Sequence, residues 1–439
     1  MPLLFPLCTC FVVLVWLFQI LLADRVSLGL PVAYLLALFL IHVPGAFAYL
    51  VSGDLLEHSD FTETGIIFTA IGSSFFVLGV KIAHLGVARA SIDSLPNDVR
   101  FWRFCTLGGW LLLLIFNWLR SIPSLAAIID QAGSIWMLGV LLGLRVAVQR
   151  RDYFKAGAWI IIMCLFPAMT ILLSGFISYA SVTILIVCSG SIITFKNYWR
   201  AIITTLVAFV LGLNIFIAYF SARDQIRAVV WTGADMGARI DAVVDAAKNI
   251  QWFDRRNPEH LRAFDLRLNQ NYFVGVSAAR IEQGSADFLY GRSVWQSLLA
   301  LIPRAIWTEK TVFGGSPEIV MEMTGLTLSR TTAWGVGNVM EFYINFGIPG
   351  LIGGFLLLGY VIGFFDRKAA TALLRGKMGE AIIFFMPTVG LIIPERSMVE
   401  MAGGALGGLI AAYFWRWLWN LLEEVRPNIK AFRGRFERS

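Results

Sequence analysis

The chain alternates long apolar runs with short polar breaks, and most of the runs are too long for the core of a soluble domain. Apolar segments lie near 5–23, 31–51, 64–81, 104–120, 132–148, 157–174, 177–195, 201–220, 338–365, 379–394 and 402–421. Each approaches or exceeds the roughly 20 residues that carry an α-helix across a bilayer. The pattern predicts an all-α, polytopic membrane protein with eleven transmembrane helices, within a range of ten to twelve. The opening MPLLFPLCTCF has no cationic stretch before its apolar run and no small-residue cleavage site after it, so it is read as a retained first span.

Composition agrees. Of 439 residues, 58% are hydrophobic and only 15% charged, with a mean hydropathy of +0.72, more apolar than a water-exposed surface tolerates. Orientation follows from the cations in the short loops. Alternate loops carry Arg25; then Lys81, Arg89, Arg100 and Arg103; then Arg145, Arg150, Arg151 and Lys155; then Lys196 and Arg200; then Arg367, Lys368, Arg375 and Lys377; and finally the basic tail. These loops are read as cytoplasmic. The intervening ones are poor in cations: GDLLEHSDFTET (53–64) has four acids and neither Lys nor Arg. The net charge of +7 is thereby explained by the positive-inside rule and says nothing for nucleic acid.

One segment breaks the alternation. Residues 221–335, between the eighth and ninth spans, form a 115-residue loop on the external side, too long for a connector. The expected division is 1–220 (eight spans), 221–335 (a large, mostly helical periplasmic loop), 336–421 (three spans) and 422–439 (a basic cytoplasmic tail). Within the loop, Asn257-Pro258-Glu259 is a helix-start signal. Leu261, Phe264, Leu268 and Tyr272 then recur at helical spacing until Gly284. An earlier run with Met236, Ile240, Val243, Val244 and Ala247 is also amphipathic. Both suit helices lying on the bundle or at the membrane interface.

No P-loop, HExxH, GxSxG or paired-Cys motif occurs, and the scattered His42, His58, His84 and His260 predict no metal site and no cofactor. His42, inside a span, reads as a hydrogen-bonded structural histidine. The distinctive stretch starts at Tyr290: YGRSVWQSLLALIPRAIWTEK, then FGGSPEIV, then TGLTLSRTTAWGVGNVMEFYINFGIPGLIGG into the ninth span. Pro303 ends the preceding helix, which puts Arg304, Trp307 and Lys310 near a membrane–water interface, where tryptophan is favoured.

G-x-S, an apolar helix, I-P-R-x-x-W-x-x-K and then N-F-G-x-x-G resemble the Wzy-type polymerases of lipid-linked oligosaccharide repeat units, the O-antigen and exopolysaccharide polymerases. The span number and the late large loop are similar too. The motif-level likeness covers about residues 290–354, and Thr311 stands where the family pattern has proline. Arg280 with Gly291, and Arg304 with Gly315, repeat a family spacing of arginine and glycine.

The resemblance implies a metal-independent glycosyltransferase of the bacterial inner membrane. Its substrates would be a polyprenyl-pyrophosphate-linked oligosaccharide donor and acceptor, with a chain-length regulator as a further partner. Such chemistry needs cations at the leaving pyrophosphate, and arginine's planar fork suits phosphate oxygens. On that reading Arg304 and Lys310 are the catalytic cations, and Arg280, Arg292 and Arg223 bind substrate. Glu341, an ionisable group at the mouth of a span, leads as general base, with Asp287 and Glu282 as alternatives. Trp307, Trp295, Trp334 and Tyr290 can stack on sugars. The plainer reading stands beside each: interface arginines snorkel to headgroups, and Trp and Tyr line interfaces without catalysis. Two other functions fit the sequence. An O-antigen ligase would pass the glycan to a lipid A core. A transporter or flippase is disfavoured by the long loop and by the lack of two matching halves with interrupted spans.

Overall fold

In a computed structural model, the protein is described over residues 3–24, 26–52, 59–85, 98–115, 123–174, 178–195, 197–232, 234–248, 252–302, 307, 316–327 and 334–436. Among the described residues every regular element is an α-helix: α1 (Leu4–Asp24), α2 (Leu30–Ser52), α3 (Ser59–Ala83), α4 (Val99–Ile115), α5 (Pro123–Gly133), α6 (Ile135–Gln149), α7 (Tyr153–Ser174), α8 (Ser178–Ile192) and α9 (Tyr198–Trp231). The 221–335 segment then adds α10 (Met236–Lys248), α11 (Pro258–Arg267), α12 (Asn271–Glu282), α13 (Arg292–Ala300) and α14 (Ser316–Thr324), before α15 (Asn338–Leu374), α16 (Met378–Leu391) and α17 (Met398–Phe436). Among the described residues eight helical stretches are long and apolar enough to cross a membrane: in α1, α2, α3, the α5–α6 region (Ile128–Gln149), α7, α9, α15 and α17. Where its residues are described, every apolar run of the sequence falls on a helix. The described parts of the runs at 104–120, 177–195 and 379–394 fall on α4, α8 and α16, of 17, 15 and 14 residues.

The bundle is organised around α3 and α15. A Cβ at Gly359 would meet the Phe76 carbonyl oxygen at 2.0 Å, and one at Gly79 the Leu356 carbonyl at 2.2 Å. Small residues thus let two backbones touch where no hydrophobic effect drives helices together. Tyr34 stacks on Phe76 at 4.5 Å and donates to Asn338 Oδ1 at 2.8 Å, tying α2 to the start of α15.

Arg145, which the sequence places among loop cations, lies inside α6 and is 1% exposed. Its guanidinium donates to the Ser27 carbonyl at 3.0 Å and faces the charge of Asp366 on α15. Asp366 Oδ1 accepts from the backbone of Leu28 and Leu30 at 3.0 and 3.1 Å, which caps α2. A buried cation survives here because a carbonyl and a carboxylate meet it.

The apolar run after Pro258 predicts one helix to Gly284, yet the chain forms two, α11 and α12. The link between them turns inward onto α2, where Pro44 removes a backbone donor. Gly45 N donates to Leu268 O at 3.0 Å, and Gln270 N donates to Ile41 O at 2.9 Å. A Cβ at Gly45 would sit 2.3 Å from Asn269 Cβ, so only glycine admits the link. Asn271, fully buried, bonds His42 Nδ1 at 2.8 Å and donates to the His42 carbonyl at 2.7 Å and to Asn269 Oδ1 at 3.1 Å. Asn269 in turn donates to Thr62 Oγ1 and to Asp265 Oδ1, which also accepts from Tyr49. Part of the 221–335 segment is therefore packed into the bundle.

Candidate functional site

The long α15 is two helices joined at a break. Phe346 (φ −144°, ψ 21°) and Gly347 (φ 65°, ψ −148°) leave helical geometry. The positive φ at 347 explains glycine there, and Pro349 opens the second half. The first half, from Asn338 to Asn345, is almost wholly buried and carries Glu341, which is 0% exposed.

The stretch Leu289–Ser293 is fastened to this half-helix. Leu289 N donates to Ile344 O at 2.8 Å, and Gly291 N to Asn345 Oδ1 at 3.1 Å. Asn345 Nδ2 donates to Ser293 Oγ at 2.8 Å and to the Glu341 carbonyl at 2.6 Å. The G-x-S and N-F-G motifs therefore meet in space, through the serine of one and the asparagine of the other.

Glu341 Oε2 accepts from Met398 N at 2.6 Å, at the first turn of α17. A carboxylate there is favoured by the helix dipole and by an unsatisfied donor. Its Oε1 is buried with no hydrogen-bond partner among the described residues. The same helix start has a capping box: Ser397 N donates to Glu400 Oε2 at 2.8 Å and Glu400 N to Ser397 Oγ at 3.3 Å. Ser316 of α14 also donates to Glu400 Oε2, at 2.8 Å. Two carboxylates thus share the α17 N-terminus.

Beside Asn345 an apolar groove of about 610 Å³ runs along the second half of α15. Phe346, Pro349, Gly353, Leu357 and Val361 line it, with Val294 of α13, Leu391 of α16 and Met401 of α17. Polar side chains reach it at Asn345 and Ser297. Its volume is in the range of small-ligand pockets, and its lining suits an aliphatic chain.

The expected cations separate into groups. Arg292 pairs with Glu322 of α14. Arg280 donates to the Ser285 carbonyl at 3.1 Å and packs over Gly325. Arg223 pairs with Asp224 at 2.9 Å on the last turns of α9, close to Arg227 and to Arg267 of α11. The Arg267 guanidinium sits 5.2 Å over the Trp334 ring. Although Arg267 is exposed as a residue, partial burial of its guanidinium lowers its pKa, and the like charges of Arg223 and Arg227 add to this. Glu395, ahead of α17, is pushed up by burial, with Arg267 pulling the other way.

Tyr290 (φ 45°) and Asp287 are exposed next to the fastened stretch, Glu282 is exposed at the end of α12, and Trp307 is 44% exposed. Arg304 and Lys310 lie outside the described residues. The structure brings Glu341 together with Ser293 and Asn345, and leaves Arg280 and Arg292 in local pairs. Sequence reasoning missed Asn345 and Arg267, and also the Ser397–Glu400 box, although its S-x-x-E spacing was readable.

Fold and site together define an all-helical protein of apolar, span-length helices with a buried carboxylate at a broken helix. The chain belongs to the family described as "Domain of unknown function (DUF8712)", which matches residues 102–388. No curated protein and no solved structure matches it. The matched region holds Ser293, Glu341, Asn345 and the α9–α11 arginines, whereas Ser397 and Glu400 fall beyond it.

Proposed function

We propose that the chain is a membrane glycosyltransferase that polymerises polyprenyl-pyrophosphate-linked oligosaccharide repeat units. The supporting observation is the apolar groove that Asn345 helps to line, on the helix whose first half also carries buried Glu341. A lipid-linked sugar needs an aliphatic slot and, close to it, a proton acceptor.

In this reading the chain has about eleven spans, the 221–335 segment is periplasmic and the C-terminus cytoplasmic. The lipid chain of the donor lies in the groove, and its pyrophosphate meets Arg304 and Lys310. The bond between the donor's anomeric carbon and the pyrophosphate oxygen breaks, and that oxygen keeps the electron pair. A hydroxyl oxygen of the acceptor's sugar bonds to the anomeric carbon, and its proton passes to the Glu341 carboxylate. Fixed cations lower the barrier where negative charge grows on the leaving group.

The test is the length distribution of surface polysaccharide in a deletion strain complemented with wild type or with Arg304→Ala. Single-repeat products from the variant, at normal protein level, are expected. Arg304→Lys should recover only part of the polymer, because the fork geometry is lost. Full-length polymer from Arg304→Ala would reduce Arg304 to an interface anchor.

A further inference from the structure

Away from the groove, α9 overruns what a bilayer requires. The helix has 34 residues, and about 20 suffice to span; its apolar run is 201–220. Arg223 and Arg227 follow that run by three and seven residues, within about two turns of where the hydrocarbon ends. With Tyr219 they repeat every four residues and share one face, and the Tyr219 hydroxyl bonds to Arg227. Arg267, on the last turn of α11, faces the same stripe.

Each guanidinium rests on a ring: Arg223 on Phe220 at 4.6 Å, Arg227 on Trp231 at 5.4 Å and Arg267 on Trp334 at 5.2 Å. Stacking occupies the flat face of a guanidinium and leaves its N–H edge for an oxyanion. Among the described residues the acids that act on Arg267 are Asp224 and Glu395. Asp224 is also 85% exposed and weakly committed. An arginine stacked for stability alone would not draw two others of its own charge beside it.

We propose that Arg223, Arg227 and Arg267 form a binding site for a phosphate or pyrophosphate group, separate from the groove along α15. The group can come from a membrane lipid headgroup or from a free phosphate. The site shares no side chain with the groove or with Glu341; Arg223 is also a substrate-binding cation in the polymerase reading, and the measurement below reads anion binding alone, so the two can fail separately.

The experiment uses full-length protein in two arms. In detergent, inorganic pyrophosphate is titrated by calorimetry. In nanodiscs of phosphatidylcholine with added phosphatidic acid, retained lipid is counted by native mass spectrometry. Arg267→Gln and Arg223→Gln should each weaken binding about tenfold, as expected for the loss of a charge-assisted bond, and Arg267→Lys by less. Asp224→Asn should tighten it several-fold, a gain that damage to the fold cannot produce. Arg262→Gln, on an exposed part of α11, should match wild type. Binding in the first arm identifies a free phosphate, and binding confined to the second a lipid headgroup. Absence of binding in both arms, or binding unchanged in Arg267→Gln, Arg223→Gln and Asp224→Asn, overturns the proposal. Should Arg267→Gln fail to give monodisperse protein, Arg267→Lys and Asp224→Asn decide.

Discussion

Replacing Glu341 by glutamine separates its proposed part in chemistry from its part in the fold. In the folded protein Glu341 Oε2 accepts from Met398 N at 2.6 Å, and a glutamine carbonyl at the same place can accept that bond. The exchange of a buried carboxylate for an amide should therefore change stability by no more than about 1 kcal/mol. Glu341→Ala differs, because it leaves the Met398 donor buried and unmet at about 1–3 kcal/mol and opens a void against α17. If the carboxylate accepts the acceptor hydroxyl's proton, its loss costs roughly 10²–10⁴ in rate, about 3–5 kcal/mol of barrier. Polymer lengthens one transfer at a time, so even the lower figure should collapse the length distribution to single or very few repeats. The assay pairs that distribution with the thermal midpoint of purified protein. Full-length polymer from Glu341→Gln at wild-type protein levels would refute the base role, and an unfolded Glu341→Gln would refute the claim that the amide keeps the α17 contact.

Two further outcomes are expected. Asn271→Ala removes two bonds to His42, one to Asn269 and a long one from Thr69; at about 0.6–1.7 kcal/mol for each bond within a membrane bundle, the loss should be about 2–7 kcal/mol, and a double-mutant cycle with His42→Phe should show coupling, whereas a loss below about 0.5 kcal/mol would show the network to be incidental. Glu395 has its carboxyl raised above the ordinary 4.5 by burial, so its protonated form favours folding; the stability this gives is present below the ordinary value and is lost as pH rises through the raised one. Glu395→Gln should gain on wild type over that rise and match it in acid, and a gap in melting temperature that does not grow with pH would contradict the assignment.

Helix positions were legible because apolar runs must bury themselves or meet lipid, and each run, where described, did fall on a helix. The span count is less legible: α8 and α16 are apolar but short, and length decides. Asn345-Phe346-Gly347 was visible as letters, but its left-handed glycine and its bond to the Leu289–Ser293 stretch depend on chain fifty residues away. The spacing of Leu261, Phe264, Leu268 and Tyr272 carried one continuous helix straight through Asn269-Gln270-Asn271, a polar run that such a helix would leave unexplained. It is buried instead, because a proline in α2 offers backbone groups that those residues complete. Arg145 read as a loop cation because its neighbours Arg150 and Arg151 are exposed, and its counter-charge Asp366 lies far along the chain. Glu341 was found by the cost of an ionisable group at a span mouth, a local signal. Arg267 was missed because what distinguishes it is the company of Arg223, Arg227 and Trp334, which no local pattern records.

The backbone bonds between α2 and the link after α11 also bear on how the protein is made. His42 and Asn271 are 229 residues apart, and a ribosome adds roughly 5–20 residues per second, so roughly 10–45 s separate the synthesis of α2 from that of its partner. Throughout that interval the chain around Pro44 must stand in the bilayer in a provisional form, with Ile41 and Gly45 still waiting for Gln270 and Leu268. A nascent chain halted before residue 268 would hold every residue of α2 and yet lack the segment that completes it, so that this helix is finished only long after its own residues are made.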